Sequence, residues 1–252
     1  MLKIILAGCN GYMGRVVTSM VKENPEISVV AGIDINTEKP GSYPVYANPD
    51  EITEKADVII DFSVPAAIDG LLKYALAKKL PLILCATGYS QEQIKQIEEA
   101  SKQIPVFRSG NMSLGINLLA DLIQRACHTL GEDFDIEIVE RHHRRKVDAP
   151  SGTALMLADA AAEALPYKPD YIFERESRRE QRGKKEIGIS AVRGGTVVGI
   201  HDVIFAGQDE VIELKHTAGS RDVFAVGALK AARFIVNKPP GMYDMKNVLN
   251  EI

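Results

Sequence analysis

Cysteine is scarce in this 252-residue sequence: there are three, Cys9, Cys85 and Cys127. They form no CxxC pair and are odd in number, which argues against a disulfide framework or a thiolate zinc site and favours a reducing, cytoplasmic compartment. No stretch reaches the ~20 apolar residues of a membrane span. The apolar run in MLKIILAGC is too short for a signal-peptide core and leads straight into glycines, so export is not expected. Positive charge is not in excess either: 30 Lys and Arg stand against 34 Asp and Glu, a net charge of −4. No global field would draw nucleic acid or an anionic membrane, and any basic site must be local. Compositional bias is also missing, with 46% apolar and 25% charged residues, 20 Gly and 12 Pro. That is an ordinary globular chain, long enough for one large domain or two modest ones.

Branched-aliphatic runs predict buried strands at Leu2 to Ala7, Ile27 to Ile33, Ala56 to Phe62, Pro81 to Cys85 and Pro105 to Arg108. Helical patterns fall between several of them, at Arg15 to Lys22, Ala66 to Lys78 and Ser90 to Gln103. Such alternation predicts a parallel, doubly wound α/β sheet with right-handed crossovers. After Leu114 the rhythm changes. A helical pattern at Ile116 to Leu130 leads into Phe134 to His142, where Ile136 and Ile138 alternate with acidic residues, as in a strand with one wet face. A helix at Gly152 to Leu165 and a charged stretch at Glu174 to Lys185 follow. Strands are then predicted at Glu186 to Arg193, Val197 to Ala206 and Glu210 to Ala218. Consecutive strands predict a second, mixed or antiparallel sheet. The helical segment Val223 to Val236 and the tail are expected to return to the first domain.

Gly8, Gly11 and Gly14 punctuate the turn between the first strand and first helix. Small residues there let backbone amides approach a pyrophosphate at a helix N-terminus, but a bare glycine pattern is weak evidence. Context strengthens it. Asp34 ends the next strand twenty residues past Gly14, where a carboxylate would accept hydrogen bonds from an adenosine ribose. The same carboxylate would repel a ribose 2′-phosphate, and Ile35 and Asn36 bring no positive charge to offset it. NADH is therefore expected over NADPH, although Lys39 is near in sequence.

Arg141 to Lys146 reads RHHRRK in an otherwise acidic chain. Charge runs are usually solvated loops, but this one follows a half-buried strand and precedes DAPSGTA. Pro150 stops any helix, Ser151 is an N-cap candidate, and the Gly152 and Thr153 amides open the next helix as a carboxylate or phosphate site. Adjacent histidines and a lysine beside it suit a small dianionic substrate that needs a proton. A His-His pair lacks the spacing for two metal ligands on one helix face, and no metal is expected. His128, His201 and His216 stand alone and read as structural.

The segment from Glu137, E-I-x-E-x-H-x-x-x-K-x-D-x-P-S-G-T-A, resembles the signature of the dihydrodipicolinate (4-hydroxy-tetrahydrodipicolinate) reductase family at every fixed position. The resemblance extends over essentially the whole chain, through the glycine loop, ATG at Ala86 to Gly88, GNMSLGIN at Gly110 to Asn117, Ser220-Arg221 and the C-terminal GMYDMKNVL. It implies an N-terminal Rossmann-like domain with a parallel sheet over 1–112, completed by 222–252. An inserted α+β substrate domain with an open mixed sheet would span 113–221, and a homotetramer would assemble through those sheets. It implies NAD(P)H-dependent reduction of a small cyclic dicarboxylate in diaminopimelate and lysine synthesis, giving tetrahydrodipicolinate and water. His142 resembles the proton donor and Lys146 a second donor, with His143, Gly152 and Thr153 on the substrate carboxylates. The cofactor positions would be Gly8, Cys9, Asn10, Gly11, Tyr12, Met13, Asp34, Cys85, Ala86, Thr87, Ser109, Gly110, Asn111 and Met112.

Three positions depart from the family pattern. Cys85-Ala86-Thr87-Gly88 stands where GTTG is frequent, which removes a hydroxyl near the nicotinamide. Gly199-Ile200-His201-Asp202 stands where GEHT is frequent, and Ile35 replaces an arginine after the ribose-binding acid. Two other readings compete: a different dehydrogenase of this architecture acting on a small carboxylate such as aspartate, and a nucleotide-binding regulator without turnover. The latter would have no use for RHHRRK and SGTA.

Overall fold

The structure, a computed structural model, describes residues 1–251; residue 252, the end of the expected C-terminal segment, lies outside them. Its elements, in chain order, are β1 (Leu2–Ala7), α1 (Tyr12–Lys22), β2 (Ile27–Ile33), β3 (Val45–Tyr46), β4 (Val58–Asp61), α2 (Ile68–Lys78), β5 (Leu82–Leu84), α3 (Gln91–Ser101) and β6 (Pro105–Arg108). There follow α4 (Leu114–Leu130), β7 (Asp135–His142), α5 (Gly152–Ala164), β8 (Asp170–Ile172), β9 (Glu186–Arg193), β10 (Gly199–Ala206), β11 (Val211–Ala218), α6 (Asp222–Ile235), β12 (Gly241–Tyr243) and α7 (Met245–Leu249). Two compact units result. One comprises Met1–Ser113 and the segment from Asp222 onward, the other Leu114–Arg221.

In the first unit seven strands are hydrogen-bonded in the order β3-β2-β1-β4-β5-β6-β12, every pair parallel. Short aliphatic runs form this sheet because helices cover parallel strands on both faces, and Ile4, Ile5, Leu6, Ile59, Ile60, Leu82, Ile83 and Leu84 are fully buried. Strand order reverses between β1 and β4, the point where open α/β sheets of this winding open a crevice at the carboxyl ends of their strands. The returning tail adds β12 beside β6.

The second unit is an open five-stranded mixed sheet, β11-β10-β7-β9-β8. β10 runs antiparallel to both neighbours, and β7, β9 and β8 run parallel. The expected alternation holds in β7: Ile136 and Ile138 are buried while Asp135 and Glu137 are partly exposed. Ile136, Ile138, Ile187, Ile189, Val203 and Phe205 pack on the apolar faces of α4 and α5, including Ile123, Leu157 and Ala161. The charged stretch after β8 is fastened to the other face. Arg182 donates to Asp135 and Glu137, and Arg175 to Glu137 and Glu186.

Candidate active site

The first group of residues lies at the carboxyl edge of the parallel sheet. Gly8 to Met13 follow β1, Asp34 follows β2, Cys85 to Thr87 follow β5 and Ser109 to Met112 follow β6. Helix α1 begins three residues earlier than its amphipathic pattern, at Tyr12, with Gly11 as an extended N-cap. The last glycine is thus inside the helix. Gly8 has φ +70°, and a Cβ there would lie 2.6 Å from the Phe62 carbonyl oxygen. A Cβ at Gly14 would lie 2.2 Å from the Gly8 carbonyl oxygen, so α1 can start this close to β1 only on glycine. A cavity of about 680 Å³ opens above this turn, lined among others by Gly8, Asn10, Gly11, Asp34, Phe62 and Val64.

Asp34 borders that cavity. Its carboxylate accepts the Asn10 amide at 2.9 Å and the Asn36 amide at 3.0 Å, while the Asn10 side chain donates to the Asn36 and Glu38 carbonyls. The acid is therefore oriented before any ligand arrives, with lone pairs to spare for ribose hydroxyls. Glycine turn, helix start, acid and cavity together fit a dinucleotide. Cys9 is an exception to the expected set in one respect: its side chain is fully buried, so only its backbone can reach a ligand. Met112 is buried as well.

The second group is built on β7. Even-numbered residues face α4 and α5, and along that face the side chains change from Ile136 and Ile138 to Glu140 and His142. Register places His201 of β10 opposite Glu140, and His216 of β11 opposite His201. Glu140 is wholly buried. Its carboxylate accepts from Nη1 and Nη2 of Arg193 at 2.7 Å, lies 2.6 Å from His142 Nδ1 and accepts the Ser151 amide at 3.0 Å. Burial alone would push the Glu140 pKa up, but the bonds from Arg193 and then His142 outweigh it and hold it below the usual carboxylate range.

Ser151 caps α5, its Oγ accepting the Ala154 amide at 3.2 Å and lying 3.1 Å from His201 Nε2. The Gly152 and Thr153 amides occupy the first turn, where helix geometry offers no acceptor four residues back. Lys146 Nζ sits 2.9 Å from Asp148. Burial, followed by the nearby charges of Arg145 and Arg221, lowers the His143 pKa. The basic run is thus divided: Arg141 turns to the opposite face and pairs with Asp202, whereas His142 points inward. Asp202, one of the two departures from GEHT, is also 3.4 Å from Lys215, so it serves a local ion-pair cluster.

Sequence alone makes His201 a lone structural histidine, yet it lies in this cluster, its ring centroid 5.2 Å from that of His142 in an edge-to-face arrangement. Glu140, Arg193 and His201 were all missed as site groups. For Glu140 and His201 a signal existed: each shares the strand parity of buried apolar neighbours.

The family model for the N-terminus of dihydrodipicolinate reductase matches residues 2–112, and that for its C-terminus residues 115–249. The chain belongs to the dihydrodipicolinate reductase family. A 4-hydroxy-tetrahydrodipicolinate reductase of Caldanaerobacter subterraneus subsp. tengcongensis is 55% identical over 251 residues, covering 100% of this chain and 99% of the relative. The protein of the same name from Clostridium tetani is 52% identical over 250 residues, covering 99% and 98%. Among solved structures, the dipicolinate-bound dihydrodipicolinate reductase of Paenisporosarcina sp. TG-14 superposes with a TM-score of 0.83 at 25% identity, covering 98% of this chain and 99% of that one. A myo-inositol dehydrogenase of Corynebacterium glutamicum, at 16% identity and TM-score 0.59 with 96% and 90% covered, shares the fold. Within the described residues of this reductase-family chain, no helix is long and apolar enough to cross a membrane.

Proposed function

We propose that this chain reduces 4-hydroxy-tetrahydrodipicolinate to tetrahydrodipicolinate with release of water, as its relatives' names indicate, in diaminopimelate and lysine synthesis. The observation that carries the reading is the meeting, at one end of β7, of an acid-oriented imidazole with the Ser151-capped start of α5. The reaction consumes one hydride and one proton. Reduced nicotinamide supplies the hydride when the dinucleotide is bound. Gly8 to Met13 and Asp34 would hold its pyrophosphate and adenosine ribose, and Cys85 to Thr87 with Ser109 to Met112 the remainder.

The proton comes from the protein. Glu140 bonded to Nδ1 fixes the ring of His142 and leaves Nε2 as the atom that delivers it. Lys146 is the second donor and a positive partner for the dicarboxylate, with His143 a hydrogen-bonding ring beside it. One carboxylate is received by the Gly152 and Thr153 amides, since a helix start presents N–H groups to an anion. The dipicolinate named in the related structure is a planar dicarboxylate of this class.

NADH is the preferred donor in this reading, because Asp34 is already aimed into the cavity and Ile35 supplies no cation for a 2′-phosphate. Residues 1–112 with 222–252 serve the dinucleotide, and 113–221 serve substrate and assembly as a homotetramer. Turnover of freshly synthesised 4-hydroxy-tetrahydrodipicolinate by the wild type, His142→Ala and Lys146→Ala is the test. Losses in kcat of roughly 10²- to 10⁴-fold are expected for absent acid catalysis. Near-normal turnover in both variants would overturn the roles, and activity on oxaloacetate plus ammonia instead would replace the substrate.

A further inference from the structure

His201 occupies a place on β10 where an apolar side chain would be expected. It follows the parity of Val203 and Phe205 on the same buried face and is only 4% exposed. Its Nδ1 is buried without a hydrogen-bond partner, while its Nε2 meets Ser151 Oγ at 3.1 Å. Enclosing an imidazole with one ring nitrogen unmet is costly, so the single bond it does make is the feature to explain.

That bond reaches the cap of α5. Ser151 Oγ must accept the Ala154 amide to cap the helix, while the Ser151 amide is spent on Glu140. A serine hydroxyl has one proton to give. If it is given to His201 Nε2, both Oγ lone pairs are kept for the helix and the rotor is locked. If the imidazole were instead charged, Nε2 would donate, both Oγ lone pairs would be taken and the hydroxyl proton would lose its acceptor. Burial, and then the proximity of His142, keeps the ring neutral by lowering its pKa to about 4.

We propose that His201 is a positioning residue for substrate: through the Ser151 hydroxyl it holds the first turn of α5 so that the Gly152 and Thr153 amides converge on a carboxylate. This rests on the assignment of that helix start to the dicarboxylate. His201 touches neither substrate nor cofactor in this role, and its effect belongs to binding rather than to proton delivery.

The test uses the full-length enzyme with dipicolinate as the binding probe. His201→Phe keeps a ring against His142 but cannot bond Ser151. It should weaken dipicolinate binding and raise the substrate KM by about tenfold, the effect of one hydrogen bond, with kcat and the Kd for NADH within about threefold of wild type. His201→Gln, which can accept from the hydroxyl, should restore most of the affinity. Ser151→Ala should reproduce the loss, and the Ser151→Ala/His201→Phe double variant should be no worse than Ser151→Ala alone, because the two act as one unit. Should His201→Phe not fold, His201→Asn, too short to reach Ser151, is read in its place.

Wild-type dipicolinate affinity in the reaching-deficient variant, additive losses in the double variant, or equal losses of dipicolinate and NADH binding would each overturn the proposal. Lys146→Ala separates the two levels. Unchanged dipicolinate affinity there undercuts the substrate-site assignment itself, whereas a loss there beside a normal His201→Phe removes only the role of His201.

Discussion

Glu140 and His142 stand two residues apart on one face of β7, and the carboxylate of the first lies 2.6 Å from Nδ1 of the second. The contact follows from strand periodicity, which returns every second side chain to the same side. It orients the ring that the proposed mechanism uses. Glu140→Gln should lower kcat by about 10²-fold, at the lower end of what general acid catalysis contributes, while the KM for NADH stays near wild type. It should also cost about 1.5–3 kcal/mol of stability, the usual worth of hydrogen bonds to a charged group, because Arg193 loses its anion. Stopped-assay kinetics and urea midpoints at constant slope check the two parts, and undiminished kcat would remove Glu140 from the mechanism.

Much of this was legible in the residues. The parity that buries Ile136 and Ile138 also buries Glu140 and His142, and the DAPSGTA segment announced a capped helix start that the Ser151 bond to Ala154 provides. The burial of His201 was legible in the parity of β10, but its place beside Glu140 was not, because that depends on register between two strands far apart in the chain, which no local pattern encodes. The same holds for β12, whose pairing with β6 spans most of the chain. Strands as short as Val45–Tyr46 or Asp170–Ile172 contain too few residues to display a period at all. The early start of α1 was hidden because its first turn contains Gly14, a residue that depresses helix propensity but is required for the approach to Gly8.

Acid stability should carry the mark of His201. Its pKa falls from 6.5 to about 4 on folding, through burial and then the neighbouring His142, His216 and Lys146, with Glu140 opposing. A depressed folded pKa means that the unfolded chain takes up a proton first, so stability is full above pH 6.5 and declines as pH falls toward 4. The loss is roughly 3 kcal/mol for a shift of that size. Glu140, whose pKa is also lowered, adds its loss only as pH falls below the ordinary carboxylate range, near 4.5. Urea midpoints measured between pH 7 and 4 should therefore slope for the wild type and slope less for His201→Gln, where the lowered pKa values of His143 and His216 still contribute. Identical slopes would show that His201 is not held neutral.

The cofactor end offers a separate test. Asp34 is fixed by the Asn10 and Asn36 amides at the edge of the cavity, and its charge is the main obstacle to a 2′-phosphate there. Asp34→Ala should lower the ratio of kcat/KM for NADH over NADPH by at least about tenfold, since it removes both the ribose hydrogen bonds and the repulsion. A ratio that does not move would mean that discrimination resides elsewhere in the loop.

Gly8 is expected to tolerate no side chain. At φ +70° an L-residue costs roughly 1–2 kcal/mol, and the added Cβ would press on the Phe62 carbonyl from 2.6 Å. Gly8→Ala should lower Tm by several degrees and raise the Kd for NADH, because relief of the clash must move the amides that face the pyrophosphate. Calorimetry and fluorescence titration would show it, and a variant that binds NADH normally would argue that the turn is not the phosphate cradle.

Gly152→Pro isolates the amide that the substrate assignment needs. Gly152 is the first residue of α5, where a proline is well accommodated because the N–H it lacks has no partner within the helix. Ser151 before it has φ −68° and ψ 150°, a conformation compatible with a following proline, and a Cβ at Gly152 would meet nothing within 4 Å. The helix should therefore form and stay capped while one donor is deleted. Loss of a hydrogen bond to a carboxylate is worth about 1.5–3 kcal/mol, so dipicolinate should bind roughly 10- to 100-fold more weakly while Tm changes little. Gly152→Ala, which keeps the N–H, should bind as the wild type does. If both variants bind alike, the carboxylate is held by side chains alone, and Lys146 and His143 would have to account for the whole of the anion affinity.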